Sequence, residues 1–169
     1  MSLERLWAGW RAGYIEEIAT QDASDDAGDC LMCRLAGEAL DDKQVLARDD
    51  ASYAVLNVFP YSSGHLMVVP IRHAGELDEL EPDELTSLMT MIRDATTAIR
   101  TAYSCDGMNV GMNLGRAAGA GVPGHLHVHV VPRWYGDTNF MTSIAEARVL
   151  PESLTTTWEK LRAAWPDRA

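Results

Sequence analysis

The feature that most constrains the fold of this chain is the segment of residues 125–131, which reads HLHVHVV. In an extended strand, successive side chains point to opposite faces, so His125, His127 and His129 share one face. Same-face neighbours lie about 7 Å apart, which is close enough for imidazoles to act together. The other face carries only aliphatic side chains. The alternation therefore predicts a half-buried strand that presents three imidazoles to one site.

Length and charge narrow the classes of protein to consider. A chain of 169 residues is long enough for one compact domain with terminal additions. The formal net charge of −11 argues against nucleic-acid binding, which needs a basic face. Because the chain as a whole is acidic, a nucleotide or other polyanionic substrate would need positively charged groups at the binding site itself. The N-terminus lacks a secretory signal pattern and the sequence has no apolar run that could span a bilayer, so we expect a cytoplasmic protein.

The ends of the chain are predicted to be helical. Apolar residues at helical spacing indicate an amphipathic helix over residues 3–18, which we expect to pack on the main body or on a second subunit. The acidic stretch 21–29 is predicted to be a linker. A second helix is expected to begin at Pro151 and to include Trp158 and Leu161. We therefore divide the chain into an arm and linker (1–29), a main domain (30–140) and a C-terminal helical extension (141–169).

Within the main domain, hydrophobic periodicity and turn residues predict an α+β arrangement. Apolar positions recurring every three to four residues after Pro82 predict a long helix through Tyr103 that covers a sheet. A short helix is expected over residues 30–40. Strands are predicted at residues 44–48, 53–59, 65–70 and 107–114, together with the histidine strand. The glycine-rich loop 115–124 ends directly at that strand.

Two of the three cysteines form a Cys-x-x-Cys motif, Cys30 and Cys33. Two thiolates at this spacing can bind one zinc ion, and a closed tetrahedral site needs two more ligands. His73 and His125 are the candidates. The motif is alternatively a redox pair, but no thioredoxin-like pattern surrounds it. Cys105 is expected to be a packed residue near the end of the long helix.

The three imidazoles suit phosphoryl chemistry. A neutral imidazole can attack phosphorus and leave again, and the flanking imidazoles favour His127 as the nucleophile. The other candidates for phosphate, ribose or base contacts are Arg133, Arg116, Asn57, Asn113, Trp134 and the loop glycines Gly119 and Gly121. For the asparagines, a turn or strand-end hydrogen bond is an equally good interpretation. Trp134 either stacks on a base or closes the pocket from a partner subunit.

Residues 124–133, GHLHVHVVPR, resemble the motif of the histidine-triad (HIT) family, His-φ-His-φ-His-φ-φ with φ apolar. Asn57, the stretch GHLMVVP at 64–70, His73, the strand 109–113 and the Cys-x-x-Cys motif extend the resemblance over residues 30–140. Residues 5–11 and 132–140 are similar to a bacterial branch of the family. That branch includes diadenosine tetraphosphate phosphorylases and hydrolases.

The resemblance implies a HIT-like α+β fold with a five-stranded antiparallel sheet, commonly in a homodimer. It implies that His127 attacks an α-phosphate and forms a nucleotidyl-histidine intermediate. It further implies that Cys30, Cys33, His73 and His125 bind zinc, that His129 and His65 line the phosphate site, and that Asn57 contacts ribose. The loop before the triad has no serine or threonine, so water and phosphate both stay open as the second acceptor. The alternatives to dinucleoside polyphosphate cleavage are a nucleoside phosphoramidase and a non-catalytic purine-nucleotide-binding module.

Overall fold

The structure is a computed structural model that describes residues 30–37, 44–137 and 152–167. The three helices are α1 (Leu31–Gly37), α2 (Pro82–Tyr103) and α3 (Leu154–Ala164). The five strands are β1 (Val45–Arg48), β2 (Ser52–Leu56), β3 (Leu66–Pro70), β4 (Gly107–Met112) and β5 (Val128–Arg133). Short 3-10 turns occupy Leu77–Glu79 and Arg116–Ala118.

The strands form one antiparallel sheet in the order β1-β2-β3-β5-β4. Strand β5 lies between β3 and β4, with His129 opposite Met67 on one side and Gly111 on the other. The predicted five-stranded antiparallel α+β fold is therefore confirmed. Its consequence for function is that the histidine strand lies inside the sheet, where both neighbours fix its backbone.

Helix α2 has the predicted bounds, and its local sequence explains its start. Pro82 occupies the first turn, and Glu81 and Glu84 form a reciprocal capping box. Its buried face includes Leu88, Ile92, Ala95 and Ile99, as the periodicity predicted, and packs on the aliphatic face of the sheet. The side chains of β5 that point away from α2 therefore lie on the opposite face of the sheet.

Two strands differ by three residues at one end from their predicted bounds, more than the other strands do. β2 ends at Leu56 rather than at residue 59, because the side chain of Asn57 accepts a hydrogen bond from the Phe59 N–H at 2.9 Å and turns the chain. The histidine strand begins at Val128 rather than at residue 125. The backbone of Leu126 donates instead to the carbonyl of Ala74 at 2.7 Å, in the loop after β3. His125 and His127 thus belong to an extended approach to the strand.

The C-terminal helix begins at Leu154 and not at Pro151, because Ser153 caps it by accepting a hydrogen bond from the N–H of Thr156. Leu161 of α3 is fully buried in the same core as α2. The helix is thus an integral part of the packed body. The predicted N-terminal helix and the acidic linker lie outside the described residues. Among the residues that the structure describes, no helix is long and apolar enough to cross a membrane.

Candidate active site and metal centre

Strand alternation separates the side chains around β5 into two environments. Leu126, Val128 and Val130 lie in the core under α2. The three imidazoles therefore lie on the opposite face, where His125 and His127 are buried and His129 is half-buried. The rings of His127 and His129 are 5.1 Å apart in an edge-to-face arrangement. The predicted clustering of imidazoles is present.

The hydrogen bonds of His127 define which nitrogen can react. Its Nδ1 lies 2.8 Å from the carbonyl oxygen of His125, and a carbonyl oxygen only accepts. Nδ1 therefore carries the proton and Nε2 carries the lone pair. Burial lowers the pKa of His127 below its usual value, which keeps the ring neutral near neutral pH. A neutral imidazole with a free Nε2 lone pair is the form that a nucleophile requires.

A second set of hydrogen bonds fixes the proton of His129. The backbone N–H of Tyr61 donates to Nδ1 of His65 at 3.0 Å, so that nitrogen has no proton. The proton of His65 is then on Nε2, which lies 3.0 Å from Nδ1 of His129 and donates to it. His129 in turn carries its own proton on Nε2. Burial, together with the neighbouring His127, lowers the pKa of His129 to about 4.

Asn57 presents its amide nitrogen toward this cluster. Its Oδ1 accepts the N–H of Phe59, so its Nδ2 is the atom that lies 3.4 Å from Nε2 of His65. Since Nε2 of His65 already carries a proton, both atoms are donors and the contact is not a hydrogen bond. The N–H groups of Asn57 are therefore available to an acceptor such as a ribose hydroxyl.

The Cys-x-x-Cys motif and two histidines meet at the other end of the triad. The ligand atoms of Cys30, Cys33, His73 and His125 all lie within 4.8 Å of one another. The sulfur atom of Cys30 is 3.3 Å from Nδ1 of His125, and that of Cys33 is 3.3 Å from Nδ1 of His73. For zinc bonds of about 2.3 Å to sulfur and about 2.0 Å to nitrogen, tetrahedral geometry places neighbouring ligands about 3.5 Å apart. The cluster fits a tetrahedral zinc ion.

The protonation pattern agrees with that fit. Nε2 of His125 lies 2.9 Å from the carbonyl oxygen of Pro70 and donates to it, which leaves the lone pair of Nδ1 facing the two sulfur atoms. Burial, with the neighbouring Cys30, raises the pKa of the Cys33 thiol to about 11. Two adjacent thiolates therefore need a cation between them. Cys105 lies outside the cluster and packs against the core, as predicted.

Two other residues that were predicted to contact substrate, Arg133 and Trp134, interact with other parts of the protein. Arg133 lies at the exposed end of β5, where it pairs with Asp137 at 2.6 Å and donates to Oδ1 of Asn109 at 2.8 Å. It is four residues beyond His129, about 13 Å along the strand. Trp134 contacts Tyr103 edge-to-face and is half-buried.

The glycine-rich loop is also engaged in internal bonds. Nδ2 of Asn113 donates to the carbonyl of Gly119 at 3.4 Å, which matches the strand-end interpretation. The N–H of Gly119 donates to the carbonyl of Arg116 at 3.0 Å, so it is not directed at a ligand. Gly121 and Arg116 are exposed. These contacts give the loop a defined shape next to the triad.

Tyr61 is the site residue that the sequence analysis did not find. Its ring stacks on His65 with centroids 4.9 Å apart and an interplanar angle of 23°, and lies 6.3 Å from the ring of His129. Its backbone N–H determines the tautomer of His65. The sequence pattern that could have indicated Tyr61 is an aromatic residue in a tight turn, four positions before a histidine.

Comparisons with known proteins agree with this geometry. The HIT domain family model matches residues 39–135. An AP-4-A phosphorylase of Mycobacterium tuberculosis is 40% identical over 165 residues, which cover 96% of this chain and 85% of the relative. A bis(5'-nucleosyl)-tetraphosphatase [asymmetrical] of Schizosaccharomyces pombe is 39% identical over 94 residues, 56% of this chain and 51% of the relative.

Solved structures show the same fold. A Zn-bound histidine triad family protein from Mycobacterium smegmatis superimposes with a TM-score of 0.65 at 26% identity, over 82% of this chain and 94% of that one. A hypothetical histidine triad nucleotide-binding protein from Sulfolobus tokodaii gives a TM-score of 0.64 at 28% identity, over 80% and 91% of the two chains. The sheet, the imidazole cluster and the family match together show that this chain belongs to the HIT domain family.

Proposed function

We propose that this protein is a nucleotidyl hydrolase or transferase that cleaves dinucleoside polyphosphates, with diadenosine tetraphosphate as the principal substrate. The observation that carries the proposal is the free lone pair on Nε2 of His127, beside a proton donor on Nε2 of His129. The names of the relatives from M. tuberculosis and S. pombe support the substrate class.

The reaction has two steps. The lone pair on Nε2 of His127 attacks the α-phosphorus, the N–P bond forms, and the P–O bond to the leaving nucleotide breaks with its electron pair on oxygen. Nε2–H of His129 donates a hydrogen bond to the phosphate oxygens as their charge develops. Asn57 holds the ribose of the reacting nucleotide. Water or inorganic phosphate then attacks the same phosphorus, and the N–P bond breaks to restore His127.

We propose that Cys30, Cys33, His73 and His125 bind one structural zinc ion. The donor set is closed, with two sulfur and two nitrogen atoms, and therefore leaves no ligand position for a substrate. Zinc at this position would cross-link α1, the loop after β3 and the first residue of the triad. That cross-link would hold the carbonyl of His125, which orients His127, in place. A reducing cytoplasmic compartment suits this pair of thiols.

We also propose a homodimer that forms through β4. The β1 edge of the sheet is covered by α3, since Trp158 and Arg162 donate to the carbonyls of Val45 and Leu46 at 2.9 and 2.7 Å. β4 is the opposite edge, and it pairs only with β5 among the described strands. Its Val110 is 48% exposed. An edge strand with exposed apolar side chains favours pairing with a second copy, which sedimentation of the wild-type protein and of Val110→Lys would test.

The decisive experiment is product analysis with diadenosine tetraphosphate, with and without inorganic phosphate. Phosphate-dependent ADP and ATP would identify a phosphorylase. AMP and ATP formed without phosphate would identify a hydrolase, whereas two ADP would require attack at a β-phosphorus and would contradict the nucleotidyl-histidine intermediate. We expect His127→Ala to lose several orders of magnitude in kcat and all acid-labile labelling of the protein.

Two results would contradict the proposal. Turnover of AMP-amine substrates alone would identify a phosphoramidase. Nucleotide binding without turnover of any of these substrates would identify a binding module.

A further inference from the structure

The turn between β2 and β3 presents large apolar side chains to solvent beside the imidazole cluster. Phe59 is 85% exposed, and its neighbours Val58 and Tyr61 are 45% and 48% exposed. A phenylalanine ring stabilises a fold through the apolar area that it buries, so a ring this exposed contributes little to folding. An exposed apolar patch next to a reaction centre indicates a contact surface.

The backbone under Phe59 is fixed from several sides. Its own N–H donates to Asn57, the N–H of Tyr61 donates to His65, and the hydroxyl of Ser62 donates to the carbonyl of Pro132 at 2.9 Å. The ring is therefore presented from a preorganised turn, and a ligand that stacks on it does not have to order the backbone. Preorganisation of this kind lowers the entropic cost of binding.

The orientation of Asn57 indicates which part of a substrate meets this ring. Nδ2 of its amide is directed to His65, where the reacting nucleotide would bind, whereas Oδ1 is directed to the N–H of Phe59. The oxygen and nitrogen of an amide diverge, so the backbone N–H of Phe59 lies on the side of Asn57 away from the reacting ribose. A more distant group of the substrate would meet the ring.

We propose that Phe59 is a stacking platform for the base of the second nucleoside, the one carried by the leaving nucleotide. The inference rests on the proposed function, because only a dinucleoside substrate has such a base. An uncharged aromatic ring suits a flat base and offers nothing to phosphate. Contact with this base would make the protein prefer a dinucleoside polyphosphate to a mononucleotide with the same phosphate chain.

The test compares diadenosine tetraphosphate with adenosine 5'-tetraphosphate, which has the same phosphate chain but ends in a free phosphate instead of the second nucleoside. Their dissociation constants are measured by calorimetry on the His127→Gln protein, in which substrate is not consumed. We expect diadenosine tetraphosphate to bind about tenfold more tightly than the mononucleotide, since stacking of one base is worth about that factor or more. Adding Phe59→Ala should remove this difference and leave the mononucleotide constant unchanged.

Two variants serve as controls. Phe59→Trp keeps an aromatic surface and should retain the preference for the dinucleoside. Met89→Ala removes a side chain that is 62% exposed on α2, across the sheet from the imidazoles, and should change neither constant.

The inference is wrong if Phe59→Ala weakens both probes equally or weakens neither. It is also wrong if Phe59→Ala changes the oligomeric state in sedimentation experiments, since the ring would then pack against a second copy. If neither probe binds the His127→Gln protein and the wild-type protein turns over neither, the proposed function fails together with the inference. If both probes bind and Phe59→Ala changes neither dissociation constant, the inference is wrong and the proposed function stands.

Discussion

Leu161 provides a direct measure of how far the C-terminal helix belongs to the folded body. Its side chain is fully buried in the core formed by α2 and the aliphatic face of the sheet. Replacing leucine by alanine removes three carbon groups, worth about 0.8 kcal/mol each. The remaining cavity adds to this loss, because the sheet and α2 hold the surrounding side chains in place. We therefore expect Leu161→Ala to lower the free energy of unfolding by about 2.5 to 5 kcal/mol.

The assay is equilibrium unfolding in urea, followed by tryptophan fluorescence and circular dichroism on the same samples. With a slope of about 2 kcal/mol per molar urea, the midpoint should fall by roughly 1 to 2.5 M. Leu154→Ala is the matched control on the same helix, because Leu154 is 37% exposed at its first position. The control should lose less than about 1 kcal/mol.

The result that would refute this reasoning is a similar small loss for both leucine variants. It would mean that α3 does not share the core of the sheet and that residues 152–167 are a separable extension. An unchanged midpoint with an altered slope would instead indicate that the two variants differ in their unfolded states, and the comparison would then need a second probe such as hydrogen exchange.

Three further predictions concern the site. Cys30→Ser should lose about one equivalent of zinc per chain by elemental analysis, whereas Cys105→Ser should retain it. The pKa of His129 is about 4 when folded, below its unfolded value, so the unfolded state binds more protons between these values. Its contribution to stability is therefore lost as pH falls from about 6.5 to about 4, and an NMR titration that placed this pKa above 6 would contradict the effect of burial and of His127. Gly64 has φ +83° and an added Cβ would lie 2.8 Å from an aromatic ring of α2, so Gly64→Ala should cost more than about 1 kcal/mol in thermal unfolding. Gly107→Ala is the control, because no atom lies within 4 Å of the Cβ that would be added there. An equal loss of stability for the two variants would contradict the steric argument.

Local sequence determined much of the fold. Helix α2 was predicted with its observed bounds, because a proline start, an acidic first turn and an apolar stripe all act within a few residues of one another. The alternation of residues 125–131 determined which side chains share a face, because that periodicity is a property of extended backbone. The resemblance to the HIT family also predicted His127 as the nucleophile and grouped the four cysteine and histidine residues that the structure brings together.

Tertiary structure decided which groups are available for chemistry. The carbonyl of His125 and the backbone N–H of Tyr61 determine where the protons of His127 and His129 lie, and no residue pattern encodes such bonds. Arg133 was expected at the phosphate site, but it pairs with Asp137 at the far end of the strand. The side chain that pairs with Arg133 is determined by distances in the folded protein, and the spacing of residues in the sequence does not give these distances.

The metal cluster shows the same division between sequence and structure. The spacing of Cys30 and Cys33 is local, so the sequence alone indicates that both thiols can bind one ion. Cys30 and His125 are separated by 95 positions, and their atoms come to 3.3 Å only because α1 packs beside the end of β3 and the approach to β5. Sequence thus determined the kinds of groups that this protein can use. Folding determined their distances, protons and partners, because these depend on contacts between segments that are remote in the chain.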